Sequence, residues 1–277
     1  MSAKMLNDLS RLCIHTITTK PWSIEEAAIH YSKAGVKGIS VWRDALHNRS
    51  IRGVATMLRE HDLKVVSLCR GGFFPALDLQ KRINQIDENK RAIEEAHELG
   101  APLVVLVCGS DTEQSLEDSR KQIRDGIEAI VGEAAAAGVR LAIEPLHPMY
   151  ADTRSAINTL AQANALAEVI NSPTVGVAID VYHVWWDPTL EFEIKRSGEN
   201  RHLFAFHICD WNVPTTDLLN DRGIMGEGCI PVNKIRSWVE ATGFEGFYEV
   251  EIFSNKYWQQ DQSEFLKKII KAYKENS

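Results

Sequence analysis

The 277-residue chain has no apolar run approaching the roughly 20 residues that cross a bilayer, and its opening stretch, MSAKMLNDLS, lacks the apolar segment of a secretory signal. A cytoplasmic protein without membrane contact is the expectation. Basic charge is not in excess: 31 Lys and Arg stand against 38 Asp and Glu, a formal net charge of −7, which offers no electrostatic footprint for a nucleic acid. The five cysteines, Cys13, Cys69, Cys108, Cys209 and Cys229, include no CxxC pair and read as reduced structural thiols. No Pro/Gly/Ser-rich linker or low-complexity tract divides the chain, so one domain over residues 1–277 is expected. No GxGxxG follows the first strand candidate, which removes the phosphate turn that a doubly wound open sheet usually carries there.

What is present is alternation. Short apolar runs at 11–17, 36–42, 63–70, 102–108, 138–144, 174–180, 203–209 and 247–253 read as strands. Between them SIEEAAIHYSKAG, IDENKRAIEEAHELG and EQSLEDSRKQIRDGIEAIVGEAAAAG read as helices, acidic in their first turns. Gly35, Gly100, Gly138 and Gly243 close such segments just before the next strand. Eight units at roughly 35 residues each fit parallel strands joined by crossover helices and closed on themselves, a single (β/α)8 TIM barrel. The least regular stretches, 43–50, 70–84, 145–154 and 210–231, all follow strands and so belong to the face where such barrels do chemistry.

Four strand runs, LAIEPLH, GVAIDVYH, LFAFHICD and YEVEIF, carry Glu144, Asp180, His207 and Glu251 at or near their downstream ends. A charged group in such a strand is costly to bury unless it is paired or bound, so four at equivalent places in successive units suggest one shared divalent cation. Three carboxylates and an imidazole suit Mn²⁺, Mg²⁺ or Co²⁺, with Zn²⁺ as an alternative. Glu249 shares a face with Glu251, so strand parity does not separate them; Glu251 is chosen because it is nearer the strand exit. Cys209 shares the face of His207 and reads as a wall thiol. His183, three residues after Asp180, is placed to meet a substrate oxygen, and Arg222, in DRGIMGEG, to reach over the mouth toward a hydroxyl, carboxylate or phosphate. His15, Trp42 and Arg70 end the first three strands and are assigned to substrate binding. Phe73 and Phe74 would join Trp42 in an apolar wall, Trp185 and Trp186 follow the sixth strand, and His147 and Asp210 are polar rim candidates. VWWDP and FSNKYW offer aromatic surface for a homo-oligomer contact.

The segments IEPLHP, AIDVYH, FHICDW, RGIMGEGCIP and EVEIF, in that order, resemble the xylose isomerase-like TIM barrel superfamily of sugar phosphate isomerases and epimerases, whose members include ketose 3-epimerases, myo-inosose dehydratase and hydroxypyruvate isomerase. The resemblance is most specific from residue 138 to 253. It implies Glu144, Asp180, His207 and Glu251 as ligands of one divalent ion, and Glu144 and Glu251 as the pair that exchanges a substrate proton. It also implies substrate contacts for His183 and Arg222, although Arg222 lies farther past His207 than the epimerase pattern has it. The epimerases' additional glutamate soon after the first ligand is absent; His147, Met149 and Tyr150 occupy that stretch.

The activity expected is metal-dependent isomerisation or epimerisation of a small carbohydrate by carboxylate proton transfer through a metal-stabilised enediolate. A metal-dependent dehydratase or lyase acting on a keto-cyclitol or a dehydroshikimate-like acid is the main alternative. An apurinic endonuclease, which needs more ligands for three zinc ions, and a non-catalytic ligand-binding barrel are more distant ones.

Overall fold

The computed structural model describes residues 6–277. The apolar runs become eight parallel strands: β1 (Leu12–His15), β2 (Gly38–Trp42), β3 (Lys64–Gly72), β4 (Leu103–Val107), β5 (Arg140–Glu144), β6 (Val175–Asp180), β7 (Leu203–Ile208) and β10 (Tyr248–Val250). They close in the order β1-β10-β7-β6-β5-β4-β3-β2, a single (β/α)8 TIM barrel. A two-residue antiparallel ladder, β8 (Asp210–Trp211) with β9 (Arg222–Gly223), stands outside it. The last strand is shorter than the 247–253 run predicts, so Glu251 lies just beyond it, although its N–H still donates to Ile208 O at 3.2 Å.

The crossovers are α1 (Ile24–Lys33), α2 (Ile51–Glu60), α3 (Leu79–Leu99), α4 (Leu116–Ala137), α5 (Leu160–Ile170), the short α6 (Val181–Val184), α7 (Leu190–Glu199), α8 (Val232–Ala241), the short α9 (Asn255–Trp258) and α10 (Gln262–Asn276). Ser23 and Glu26 form a capping box on α1, while Gly100 and Gly138 end α3 and α4 in the left-handed region at φ +78° and +68°. The third helix begins earlier than the predicted 86–100, at Leu79, because Asp78 caps it by accepting from Lys81 N. None of the described helices is long and apolar enough to cross a membrane.

Strand alternation sorts the core into two shells. Ile14, Ile39, Val41, Val104, Leu106, Leu141, Ile143, Val177, Ile179, Phe206 and Val250 pack with the helices, whereas Cys69, Leu103, Val105, Ala142, Ala178 and Ala205 form a separate cluster within the barrel. The small side chains of the inner shell leave room for polar groups above them.

Two local irregularities position the site. The β3–β4 register shifts between Cys69 and Gly71, which leaves Arg70 out of the ladder and re-aims its side chain. Buried Asn89 on α3 fastens this strand end: its Oδ1 accepts from Gly72 N at 2.6 Å and its Nδ2 donates to Gly72 O and Gln85 O, both at 2.8 Å. After β7, the carboxylate of Asp210 accepts from Trp211 N, Gly226 N and Ile230 N at 2.8–2.9 Å and so folds the 212–230 excursion back over the barrel. Gly228 is required there, since a Cβ would lie 2.0 Å from Trp211 O.

Candidate metal centre

At the C-terminal ends of β5, β6 and β7 and just past β10, donor atoms of Glu144, Asp180, His207 and Glu251 all lie within 4.8 Å of one another, and all four residues are buried. The parallel strands deliver them because each sits on an inward position at the same end of its strand. His207 Nδ1 is 3.1 Å from Glu144 Oε1 and 4.0 Å from Glu251 Oε2. Asp180 is split in its duties: Oδ1 caps α6 through Tyr182 N at 2.8 Å, and Oδ2 accepts from Arg222 Nη1 at 2.8 Å.

Arg222 reaches the centre although it is far from His207 in sequence, because the β8–β9 ladder returns the chain to the mouth. Its Nη1 donates to Asp180 Oδ2 and, at 2.9 Å, to Glu251 Oε2, and its Nη2 lies 3.2 Å from His183 Nε2. The guanidinium face covers the Tyr182 ring at 4.4 Å and the Phe253 ring at 5.0 Å. Since arginine only donates, His183 Nε2 is the acceptor and the proton of its imidazole sits on Nδ1, a buried atom with no hydrogen-bond partner among the described residues. Burial first, then the charge of Arg222, holds His183 well below the usual histidine range, so it is neutral.

His15 is placed differently from its assignment to substrate binding. It is fully buried beneath the mouth, with Nε2 3.2 Å from Glu249 Oε2 and Nδ1 3.0 Å from Glu251 Oε1, and its donor atoms group with those of His207 and Glu251. Glu249 lies one inward position deeper than Glu251. It accepts from Ser40 Oγ at 2.5 Å and Ser67 Oγ at 3.1 Å, and stands 3.8 Å from His207 Nε2. It therefore orients both imidazoles from below. Burial opposes charge on His15 and His207, but Glu251 and Glu249 around the first, and Glu249 and Glu144 around the second, override it and raise each to about 10. The carboxyl of Asp180 is pushed up to about 7 by burial, with Arg222 opposing.

These residues fit a divalent cation. Glu144 Oε1 and both ring nitrogens of His207 are buried and, although Oε1 and Nδ1 stand 3.1 Å apart, none of the three makes a hydrogen bond of good geometry among the described residues, in an interior where such atoms are normally satisfied. Oxygen donors with one imidazole are the donor chemistry of Mn²⁺, Mg²⁺, Co²⁺ or Zn²⁺.

The cavity over the centre is lined by Trp42, Cys69, Arg70, Val105, Val107, Glu144, Leu146, Tyr150, Arg154, His183, Leu219, Arg222, Glu251 and Phe253. Trp42 meets Phe253 edge to face at 5.2 Å, the apolar side of the mouth. Phe73 stays near it under the Arg70 guanidinium, but Phe74 does not: it is buried against α4, where a Cβ on Gly126 would be 2.3 Å from its ring. Asp210 serves the backbone of its loop rather than the rim. Trp186 donates to His183 O, Trp185 packs near Trp211, and His147 sits between Trp186 and Trp211. In FSNKYW, Tyr257 stacks on Phe265 and Trp258 donates to Ile17 O. Arg154 and Tyr150 were not singled out as cavity residues from sequence; both lie in the irregular 145–154 stretch, which was the available signal.

The family model described as xylose isomerase-like TIM barrel matches residues 29–269. An inosose isomerase of Bacillus velezensis is 24% identical over 93% of each chain. The crystal structure of a Sinorhizobium meliloti protein is 44% identical, covers 97% of this chain and 99% of its own, and superposes with a TM-score of 0.94. An IOLI protein solved with a bound zinc atom is 24% identical over 95% of this chain and 96% of its own, with a TM-score of 0.82, a likeness of fold.

Proposed function

The chain belongs to the xylose isomerase-like TIM barrel family, and from that premise we propose that it is a divalent-metal-dependent isomerase or epimerase of a small hydroxy-carbonyl carbohydrate. The observation that carries the reading is the convergence of Glu144, Asp180, His207 and Glu251 at the cavity floor, with Glu144 and Glu251 exposed to the same cavity. Those four side chains would hold the cation. When bound, it would supply Lewis-acid polarisation of the substrate oxygens and stabilise the negative charge that develops as a carbon-bound proton leaves.

The protein's own groups do the rest. Glu144 Oε1 makes no hydrogen bond of good geometry among the described residues, its near neighbour being His207 Nδ1 at 3.1 Å, so it is the less committed of the two carboxylates and the one suited to take the proton. Glu251 has both oxygens engaged, Oε1 at His15 and Oε2 at Arg222, which hold it well below the usual carboxylate range against the effect of burial. It is kept ionised to receive or return a proton from its own side of the cavity. His183 presents a neutral Nδ1–H toward a substrate oxygen, and the Arg222 guanidinium fixes the angle between Asp180 and Glu251. Return of the proton to the same carbon gives epimerisation; delivery to its neighbour gives isomerisation. The relative named inosose isomerase supports this class of reaction.

Proton NMR of deuterium uptake tests the reading, using protein supplied with Mn²⁺, Mg²⁺, Co²⁺ or Zn²⁺ and a panel of ketoses, keto-cyclitols and hydroxypyruvate. One panel member should lose a single C–H signal. Glu144→Gln and Glu251→Gln should each slow that exchange about a hundredfold or more, with metal content measured in parallel. Exchange at the parent rate in both variants, with metal retained, would remove the two carboxylates from the mechanism.

A further inference from the structure

Most arginines around the mouth are committed. Arg43 is bound to Glu88 and Glu95, Arg120 donates to Ala156 O, and Arg222 is held by Asp180 and Glu251. Arg70 and Arg154 are the contrast. Arg70 lies 4.2 Å over the Phe73 ring and Arg154 5.8 Å from the Tyr150 ring, and among the described residues neither side chain donates a hydrogen bond or makes an ion pair within 4.0 Å. Both are half-buried and both line the cavity that holds Glu144, His183 and Glu251. Arg70 also lines an adjoining hollow of about 460 Å³ with Trp42, Arg43, Asp44, Phe73, Gln85 and Glu88, which extends the mouth away from Glu144 and Glu251.

The backbone that carries each guanidinium is fastened. The register shift at Cys69/Gly71 turns Arg70 out of the ladder and Asn89 fastens the strand end beyond it. The main chain at Arg154 is held by its N–H donating to Tyr150 O at 2.9 Å and its carbonyl accepting from Gly109 N at 2.8 Å. Burial, and then the like charge of Arg154, lower Arg70 to about 10, which leaves it charged at neutral pH. Two unpaired cations held at one rim repel each other until an anion with several acceptor oxygens lies between them, and guanidinium donors suit such an anion through paired N–H···O contacts.

We propose that Arg70 and Arg154 form an oxyanion subsite, and that the natural substrate carries a phosphate ester or a carboxylate that this pair holds while the reacting carbons lie over Glu144 and Glu251. That the held molecule is a substrate rests on the proton-transfer reading above; that the pair binds an oxyanion does not. The chain's net charge of −7 makes this local reversal of sign a selecting feature: anions are repelled by most of the surface and accepted here.

The full chain is titrated with inorganic phosphate, and separately with succinate, by calorimetry, alongside Arg70→Gln, Arg154→Gln and the charge-retaining Arg154→Lys. Each neutral variant should bind the preferred anion about tenfold or more weaker, as expected for loss of a charged hydrogen-bond partner, with Arg154→Lys in between. Stronger binding of phosphate assigns an ester, stronger binding of succinate a carboxylate. Absence of saturable binding by either anion in the parent protein, or equal binding in parent and variants, overturns the subsite. Deuterium exchange separates this outcome from the first reading. Neutral sugars that exchange as fast as their phosphate esters or acids refute the subsite and leave proton transfer standing. Loss of anion binding in the variants with no exchange in any sugar does the reverse.

Discussion

Replacing Arg222 by methionine should make the fold depend on a divalent cation. The guanidinium is 3% exposed, and its Nη1 lies 2.8 Å from Asp180 Oδ2 and 2.9 Å from Glu251 Oε2. Methionine keeps much of the stem that packs between Tyr182 and Phe253 but leaves the buried Asp180 without its counter-charge and Glu251 with His15 and, farther off, His207 alone. Breaking a buried pair in this way costs about 3–5 kcal/mol. With an unfolding entropy of about 2.1 cal/mol/K per residue, a chain of 277 residues should lose about 5–9 °C in melting temperature after chelation. Saturating metal at about a hundred times its dissociation constant stabilises any specific site by about 2.7 kcal/mol, close to 5 °C for a chain of this size. In Arg222→Met the shift should exceed that of the parent protein, because the cation no longer competes with a guanidinium for two of its carboxylates. Scanning calorimetry of both proteins, chelated and then supplied with MnCl₂ or ZnCl₂, gives all four temperatures. A chelated variant melting within about 1 °C of the parent, or equal metal shifts in the two proteins, would refute the reasoning.

Asn89→Ala removes the side chain that accepts from Gly72 N; Gly72 O keeps the Gln85 Nε2 donor at 2.9 Å, so one buried donor is orphaned at about 1–3 kcal/mol, read as a lower urea midpoint, and a change under about 0.5 kcal/mol would show that the strand end is held by something else. Two glycines within α4 should respond with opposite sign. Gly126→Ala places a Cβ 2.3 Å from Phe74 Cδ1 and should destabilise by about 1–3 kcal/mol, whereas Gly132→Ala meets nothing within 4 Å and should stabilise by up to about 1 kcal/mol through helix propensity; equal denaturation midpoints for the two variants would count against the packing argument.

The barrel was legible because its signals are periodic and local. Eight apolar runs with helices between them set both the strand count and the parallel connection, and the strand ends placed Glu144, Asp180, His207 and Glu251 at one end of the cylinder before any coordinates. Depth was harder to read than facing. Glu249 and Glu251 share parity, and only the closed barrel shows that the first lies under the imidazoles while the second opens into the cavity. His15 was misjudged for the same reason: its strand end marks the right face, but the neighbouring strands bury it below the cavity wall. Phe74 and Asp210 lie in irregular segments, where no period reports direction, and each is claimed by packing or by loop backbone that a linear reading does not display. Arg222 stood too far from His207 to be placed by spacing, since nothing in the sequence announces that the excursion between them folds back as a two-residue ladder.

The vertical order of the charges follows from this topology and bears on what the mouth can admit. Lowest are Ser40, Ser67 and Glu249, a closed hydrogen-bonded layer over the small inner core. Above it His15 and His207 link that layer to Glu251 and Glu144, so the two upper carboxylates are oriented from beneath. Arg222 then ties Asp180 to Glu251 from the side, and every positive group to this height has an acidic partner at or near hydrogen-bond distance. Only at the rim does this stop, where Arg70 and Arg154 have aromatic faces but, among the described residues, no acidic partner within 4.0 Å. A molecule entering the cavity therefore meets uncompensated positive charge first and organised negative charge last. An anionic group would be retained at the rim while the uncharged part of the same molecule descended to the carboxylates, and the distance between these two levels sets how far an anion must stand from the carbon that exchanges its proton.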